Sequence, residues 1–384
     1  MTRDPFWATK EDESRRLLRH SARELLKREI APLVSEYERD GRMIDREVLR
    51  RIAPLGALGG LLPPPYGANL PYSTYFVLIE ELGRIWGSLR TVAQTTASVA
   101  NIIAELGTDE QRRRYLPPLV AGDYIACFAW TEPEAGSDTL AIMARAEADG
   151  ESLVLTGTKT LVTNAGSADV AVIAVRFDTA IRLIVVSTAE TPIPVRPIAK
   201  MGLDSSDLGE LVLDGVRVPR TALLADRATD PSLLVFGRVG IAFAALGSAE
   251  AAFEQTLRWV RQRRQFGRPL ASFQLVQAEL AAMKLAVDAM RFFAERAAWR
   301  MDRGEPAILE ASLAKLHNTE AALDVVARAM QLAGGYGYTR DLGLERRYRD
   351  LRHLTIGEGT SDIHRLIIGR ELTGVDAIAS EGDR

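Results

Sequence analysis

The hydrophobic period of this chain changes twice, and those changes limit the folds open to it. Before Gly122 and again after Pro231, apolar side chains recur at helical spacing. Between Gly122 and about Asp226 they come instead in short β-type runs broken by turns. Examples are residues 152–156 (Ser-Leu-Val-Leu-Thr), 169–175 (Asp-Val-Ala-Val-Ile-Ala-Val) and 182–187 (Arg-Leu-Ile-Val-Val-Ser). Asp149-Gly150 predicts a hairpin turn, because glycine accepts the left-handed backbone such turns need. The order helical, β, helical predicts an α+β multidomain protein. Its parts are an N-terminal all-α domain over 1–121, a middle β-barrel or sandwich domain over 122–230, and a C-terminal four-helix bundle over 231–384.

Within 15–37, Leu18, Leu25, Leu26, Ile30, Leu33, Val34 and Tyr37 fall on one helical stripe. Residues 61–67 (Leu-Leu-Pro-Pro-Pro-Tyr-Gly) must be a loop, since consecutive prolines force extended backbone. One long apolar helix is predicted over 74–106, and further helices over 233–261, 273–302 and 307–332. The alanine-rich surface of 241–249 permits close helix approach. No internal repeat or low-complexity segment interrupts this plan.

With 384 residues the chain can bury a large core. A formal charge of -3 gives no basic excess for nucleic acid or an anionic membrane. The basic runs 112–114, 261–264 and 346–352 read as solvated helix faces or subunit contacts. A single cysteine, Cys127, excludes an intramolecular disulfide and reads as a small buried residue. The histidines, His20, His317, His353 and His364, are scattered and predict no metal site. The N-terminal Met-Thr-Arg-Asp-Pro-Phe-Trp has no apolar h-region, and no apolar run approaches membrane-spanning length. A soluble, cytoplasmic protein is expected.

The chemistry concentrates in two places. Residues 331–338 (Gln-Leu-Ala-Gly-Gly-Tyr-Gly-Tyr) close a helix on a glycine cluster, and 357–364 (Gly-Glu-Gly-Thr-Ser-Asp-Ile-His) follow. Glu358 stands between two glycines, which let a ligand approach the backbone and leave the carboxylate unshielded. Thr360-Ser361-Asp362 can cap the next helix, so Glu358 should sit just before a helix N-terminus, as a candidate general base or a plain loop glutamate. In the β region, 127–138 (Cys-Phe-Ala-Trp-Thr-Glu-Pro-Glu-Ala-Gly-Ser-Asp) offers an aromatic face at Trp130, a hydroxyl at Thr131 and exposed backbone donors. That set suits a flat heteroaromatic ring with a phosphate, or a tight turn around a buried aromatic. Neither a Gly-x-Gly-x-x-Gly fingerprint nor a Gly-Lys-Ser/Thr loop is present, which argues against Rossmann or Walker-type nucleotide sites.

In this order the motifs resemble those of the acyl-CoA dehydrogenase family over essentially the whole chain. The 130–138 block is similar to the family's first signature, 331–350 to its second, and 263–270 (Arg-Arg-Gln-Phe-Gly-Arg-Pro-Leu) to its Arg-x-x-Phe-Gly element. The resemblance implies FAD, lying between the β domain and the C-terminal bundle. Phe128, Trp130 and Thr131 would flank the flavin edge, and Leu161 and Thr163 would cover the ring, with leucine where relatives often carry tryptophan. Arg263, Gln265, Phe266, Gln331, Gly334 and Gly335 would hold the pyrophosphate and adenosine from a neighbouring subunit. Thr360 and Asp362 would touch the cofactor after the catalytic turn. Shared cofactor sites imply a homotetramer, a dimer of dimers.

The implied reaction is α,β-dehydrogenation of an acyl thioester. Glu358 would take the α-proton as the β-hydrogen leaves as hydride to flavin N5. The thioester carbonyl would be held by the Glu358 backbone N–H and the flavin ribityl chain. The base would need a raised pKa, supplied by burial beside the acyl chain. Some relatives carry the base at a position that here is Gly237, which leaves Glu358 without a rival. Ser137 is similar to a residue contacting CoA, and Arg238, Gly357 and Gly359 belong with the substrate site.

Arg90 and Thr91, with Gln94 a turn on, fall where glutaryl-CoA dehydrogenases carry an Arg-Ser pair for the distal carboxylate. An arginine at the pocket floor would favour an anion, whereas one facing solvent or Glu81 would not. Gly83 replaces a glutamate of that subfamily, and Gly357 replaces a common tyrosine. The expected acyl group is therefore branched, bulky or polar-ended. Electrons would pass to an electron-transfer flavoprotein. Three alternatives stand beside this reading: an acyl- or aminoacyl-carrier-protein substrate, an oxidase that passes electrons to oxygen, and a scaffold without flavin.

Overall fold

The computed structural model describes residues 13–226 and 232–377; the expectations for residues 1–7 and for a boundary at 230/231 lie outside them. In chain order the helices are α1 (Glu13–Leu25), α2 (Ala31–Asp40), α3 (Arg46–Ile52), α4 (Tyr72–Ile85), α5 (Gly87–Leu106), α6 (Asp109–Ala121), α7 (Ser232–Gln262), α8 (Gln274–Asp302), α9 (Ile308–Ala333), α10 (Gly335–Tyr338), α11 (Leu344–Arg352) and α12 (Ser361–Thr373). Between α6 and α7 run β1 (Ala126–Ala129), β2 (Arg145–Asp149), β3 (Ser152–Thr163), β4 (Val170–Phe177), β5 (Ala180–Ser187), β6 (Val195–Pro197) and β7 (Leu208–Pro219). A short pair, β8 (Arg264–Gln265) and β9 (Arg268–Pro269), links α7 to α8. The chain forms two compact units, one taking in residues up to Lys27, Pro71–Gly87 and the chain from Leu234 on, the other Arg28–Leu70 and Ser88–Leu233.

The sheet unit is built around β4. Its strands run in the order β1-β4-β2-β3-β7-β6, with β5 on β4, and β1 and β4 are parallel. The β4 sequence is continuously apolar because both faces are covered. Val170, Val172 and Ala174 join one core with Val99, Ile103 and Leu116 of α5 and α6. Ala171, Ile173 and Val175 join a second with Leu153, Leu155, Leu211 and Val218, where β3 and β7 curl over the other face. The Asp149-Gly150 hairpin forms, with Asp149 opposite Ser152 and Gly150 at φ 60°. Cys127 is buried in β1, and burial pushes its thiol up to about 12, as an inert core residue requires.

The single helix expected over 74–106 is two. Trp86, buried and extended (φ -157°, ψ 111°), separates α4 from α5. A Cβ on Gly87 would lie 2.8 Å from Asp350 Oδ2, so this turn has no room for a larger residue. The helix α4 then belongs to the helical unit. There it crosses α7 at backbone contact, because a Cβ on Gly83 would lie 2.5 Å from the Ala244 carbonyl oxygen and one on Gly247 2.0 Å from that of Glu80. Phe76 and Phe243 stack at 5.2 Å beside the crossing. The glutamate that glutaryl-CoA dehydrogenases carry at position 83 therefore has no space here.

Glu80, fully buried on α4, is paired by Arg19 of α1 (2.7 Å) and Arg291 of α8 (2.8 Å). Burial alone would raise its carboxyl, but the two guanidinium groups outweigh it and hold it at about 2. Glu81 is taken by Arg23, at 2.6 and 3.0 Å. The helix α9 packs against α8, α11 and α12. Contrary to the expectation for apolar runs, residues Leu234–Gln262 of α7 are long and apolar enough to cross a membrane by length and composition. However, 83% of that apolar window is buried inside the protein, as in a core helix.

Candidate active site

In the helical unit the site is a turn between α11 and α12. The Gly357 N–H closes on the His353 carbonyl at 2.9 Å, and Thr360 caps α12 by accepting from the Ile363 N–H at 3.3 Å. Glu358 thus sits just before a helix N-terminus, as its sequence context predicts. Its backbone is left-handed (φ 57°), and that of Gly359 is at φ 96°. The left-handed region costs a non-glycine residue about 1–2 kcal/mol and must be held from outside. Two buried side chains reach this turn. His364 Nε2 lies 3.1 Å from the Glu358 carbonyl, and Lys315 Nζ donates to the Gly359 carbonyl at 2.5 Å.

Glu358 is exposed as a residue, and its carboxylate lies against α7. A Cβ built on Gly237 would be 2.7 Å from Oε1 and 2.9 Å from Oε2. The next residue, Arg238, is buried, and burial draws its guanidinium below the usual range while the charge of Glu358 opposes that. Lys315 is fully buried; burial lowers its ammonium to about 8, again against the pull of Glu358. Burial together with the charges of Lys315 and Arg238 takes His364 down to about 3. His364 is therefore neutral across the working range, its Nε2–H faces the Glu358 carbonyl, and its buried Nδ1 has no partner among the described residues. The charge of Glu358 thus favours the charged form of both buried cations.

A second group lies at the far end of α9. Gln331 is in its last turn, and Gly334, at φ 62° and ψ -140°, ends it in a conformation that only glycine adopts readily. Tyr336 brings in the end of α7 and the loop after it, with Trp259 5.3 Å from its ring and the Arg263 guanidinium 5.8 Å above it. Gln265 and Phe266 are on the β8–β9 hairpin, and the Phe266 ring is 93% exposed. Lys315 and Gln331 are separated by 16 residues of α9, or about 24 Å, so this group and the catalytic turn are distinct clusters. Asp362 is exposed in the first turn of α12.

In the sheet unit Phe128 is in β1 and Trp130 and Thr131 follow its end, with the Phe128 and Trp130 rings 6.0 Å apart. The Thr131 carbonyl accepts from the Thr160 N–H at 2.8 Å, which ties this segment to the end of β3. There the β3–β7 register slips between Lys159 and Val162, and Leu161 bulges outward at φ 55°, 58% exposed. Thr163 ends the strand, and Ser137 is exposed in the loop after Thr131. Arg90, Thr91 and Gln94 are all buried on α5, so Arg90 does not face solvent. Thr91 Oγ1 has no hydrogen-bond partner among the described residues.

Sequence reasoning missed the residues that hold these turns. Lys159, fully buried, donates to the Trp130 carbonyl at 2.9 Å and to Glu132 at 2.7 Å. Glu132 also accepts the N–H groups of Met143 and Ala144. The signal for Lys315 was present: it shares the buried stripe of α9 with Ala311, Ala314, Asn318 and Ala322, where a lysine needs a reason. Among the described residues no group of acidic, histidine or cysteine side chains could hold a metal ion.

Models of the acyl-CoA dehydrogenase N-terminal, middle and C-terminal domains match residues 12–123, 127–216 and 230–373. A 3-(aryl)acrylate reductase of Clostridium sporogenes is 33% identical, covering 94% of this chain and 98% of its own. The mitochondrial short-chain specific acyl-CoA dehydrogenase of Bos taurus is 34% identical, over 94% and 90%. Glutaryl-CoA dehydrogenase from Mycobacterium smegmatis superimposes with a TM-score of 0.92 at 36% identity, over 96% of this chain and 97% of that one; another structure of such an enzyme from that organism is a complex with FADH2. This chain therefore belongs to the acyl-CoA dehydrogenase family, FAD-dependent oxidoreductases that act on the CH–CH bond of acyl thioesters.

Proposed function

We propose that Glu358 is the base of this dehydrogenation and that the acyl group is short or branched, with a polar or carboxylate end. The observation that carries the first part is the seat of the Glu358 carboxylate in the space left by Gly237, between the buried cations Arg238 and Lys315. A base must be ionised before it acts, and the charged form of both neighbouring cations is favoured by the charge of Glu358. Glu358 takes the α-proton while the β-hydrogen leaves with its electron pair. The Glu358 backbone N–H is the donor for the thioester carbonyl, where negative charge develops.

The residues present suit FAD. Leu161 offers an outward apolar surface at the end of β3, and a Cβ on Gly334 or Gly335 would meet nothing within 4 Å, so a phosphate can approach that backbone. When bound, FAD supplies the hydride acceptor. Phe266 and the exposed Leu275, Leu285 and Phe292 of the hairpin and α8 support a further part of the reading, assembly into a homotetramer in which one subunit completes the cofactor site of the next.

Arg90 supports the choice of substrate. It is buried with Thr91 and Gln94 on one helix, at the place where the resemblance to glutaryl-CoA dehydrogenases expects an Arg-Ser pair, and glutaryl-CoA dehydrogenase is a structural relative. Gly357 leaves room beside the base, since a Cβ there would meet only His353, at 3.7 Å and beyond. Anaerobic bleaching of the bound flavin by glutaryl-, isovaleryl-, butyryl- and octanoyl-CoA tests this. Preference for glutaryl-CoA supports the reading; preference for isovaleryl- or butyryl-CoA would put Arg90 outside the acyl site, and preference for octanoyl-CoA overturns the reading altogether. No bleaching by any of them, with FAD bound, would direct the search to a carrier-protein thioester.

A further inference from the structure

The catalytic turn is held by groups that take no part in the family chemistry described above. Glu358 and Gly359 both have positive φ, and the carbonyl of each meets a buried side chain from a helix, Glu358 that of His364 and Gly359 that of Lys315. A Cβ on Gly359 would lie 3.1 Å from His364 Nε2, so the ring packs directly under the turn. Lys315 comes from the middle of α9, which packs against α12, so its ammonium bridges the helix scaffold to the turn. A buried lysine is costly, and a hydrophobic residue would fill this stripe of α9 at lower cost. Its hydrogen bond to the backbone beside the base gives that cost a reason.

We propose that Lys315 and His364 are positioning residues for Glu358: Lys315 anchors the strained turn through a charge-assisted hydrogen bond to the Gly359 carbonyl, and His364 fixes the Glu358 peptide as a neutral donor. The charged and titratable groups acting on Lys315 are Glu358 in the turn, Arg238 on α7 and Glu320 on its own helix, with His364 facing it from α12. Glu358 and Glu320 favour its charged form, while burial and Arg238 oppose it, which leaves the ammonium at about 8. The charge is therefore present below that pH and lost above it. Arginine at the same place would stay charged throughout.

This inference rests on Glu358 being the base, and the test separates the two. With the FAD-loaded enzyme, the rate of anaerobic flavin reduction by its best thioester is followed from pH 6.5 to about 9.5. The parent is expected to lose rate through a limb near pH 8. Lys315→Arg should lack that limb, whatever its absolute rate. Lys315→Met, if it folds and binds FAD, should be slower by about tenfold or more, with KM changed less than about twofold. His364→Gln, which keeps a donor, should be faster than His364→Ala. A parent rate that stays level to pH 9.5, or the same limb in Lys315→Arg, overturns the proposal even if Lys315→Met does not fold. If Glu358→Gln reduces the flavin at the parental rate, the base assignment itself has failed. If that variant is inactive and Lys315→Met matches the parent, only the positioning role has failed.

Discussion

The Glu358 carboxylate and Gly237 share one space: a Cβ at position 237 would lie 2.7 Å from Oε1 and 2.8 Å from Cδ. Glycine on α7 is thus a condition for glutamate in the turn. Gly237→Ala should leave folding and FAD binding intact, because α7 is otherwise unchanged, but push the carboxylate out of place. A displacement of about 1 Å commonly costs on the order of a hundredfold in rate. Stopped-flow flavin reduction checks this, and an unchanged rate would mean that Glu358 acts from elsewhere.

Arg90→Gln removes the charge from the buried face of α5 while roughly keeping the shape. It should raise KM for a dicarboxylyl thioester such as glutaryl-CoA by at least about tenfold and leave butyryl-CoA nearly unaffected. Steady-state kinetics on both substrates decide it. Equal losses would place Arg90 outside the acyl site.

The crossing of α4 and α7 at Gly83 and Gly247 admits no added methyl group. Gly83→Ala should cost about 1–3 kcal/mol of stability, the usual range for overpacking a core, despite the better helix propensity of alanine. Gly247→Ala, whose Cβ would lie 2.0 Å from the Glu80 carbonyl oxygen, should cost at least as much. Thermal melts of the FAD-loaded variants measure this.

Glu80 carries a pH signature. Its folded pKa, about 2, is below the unfolded value near 4.5, so its pairing stabilises the fold fully above about pH 4.5 and is lost as the pH falls towards 2. The parent should lose melting temperature through that window. Glu80→Gln should show a shallower loss there. At neutral pH it should be less stable, by less than the figure of about 3–5 kcal/mol for a fully orphaned buried charge, because Arg19 keeps Glu81 and Arg291 keeps Glu250. Melting curves at pH 7, 5 and 3 test both signs.

The three-part texture, the hairpin at Asp149-Gly150 and the capped turn bearing Glu358 were legible in the sequence, because each depends on local residue chemistry. The break at Trp86 was not. Apolar periodicity runs straight through it, and only tertiary packing, Gly87 against Asp350 among it, gives the extended residue its place. Lys159 and Lys315 were passed over because a lysine in an apolar run reads as a solvated side chain. What buries each is a backbone carbonyl distant in sequence, that of Trp130 for Lys159 and that of Gly359 for Lys315. The closure of position 83 needed the crossing helix to be seen, since nothing local shows that the Ala244 backbone lies there.

The most direct test of the account is anaerobic flavin reduction by Glu358→Gln beside the parent, with the best substrate of the panel. The amide keeps the shape of the carboxylate and cannot take the proton. Glu358→Gln should be folded and yellow and bind the thioester, with a flavin that is not reduced on the timescale of the parent. Reduction at a rate near that of the parent would contradict that expectation, and the base would have to be sought elsewhere in the fold.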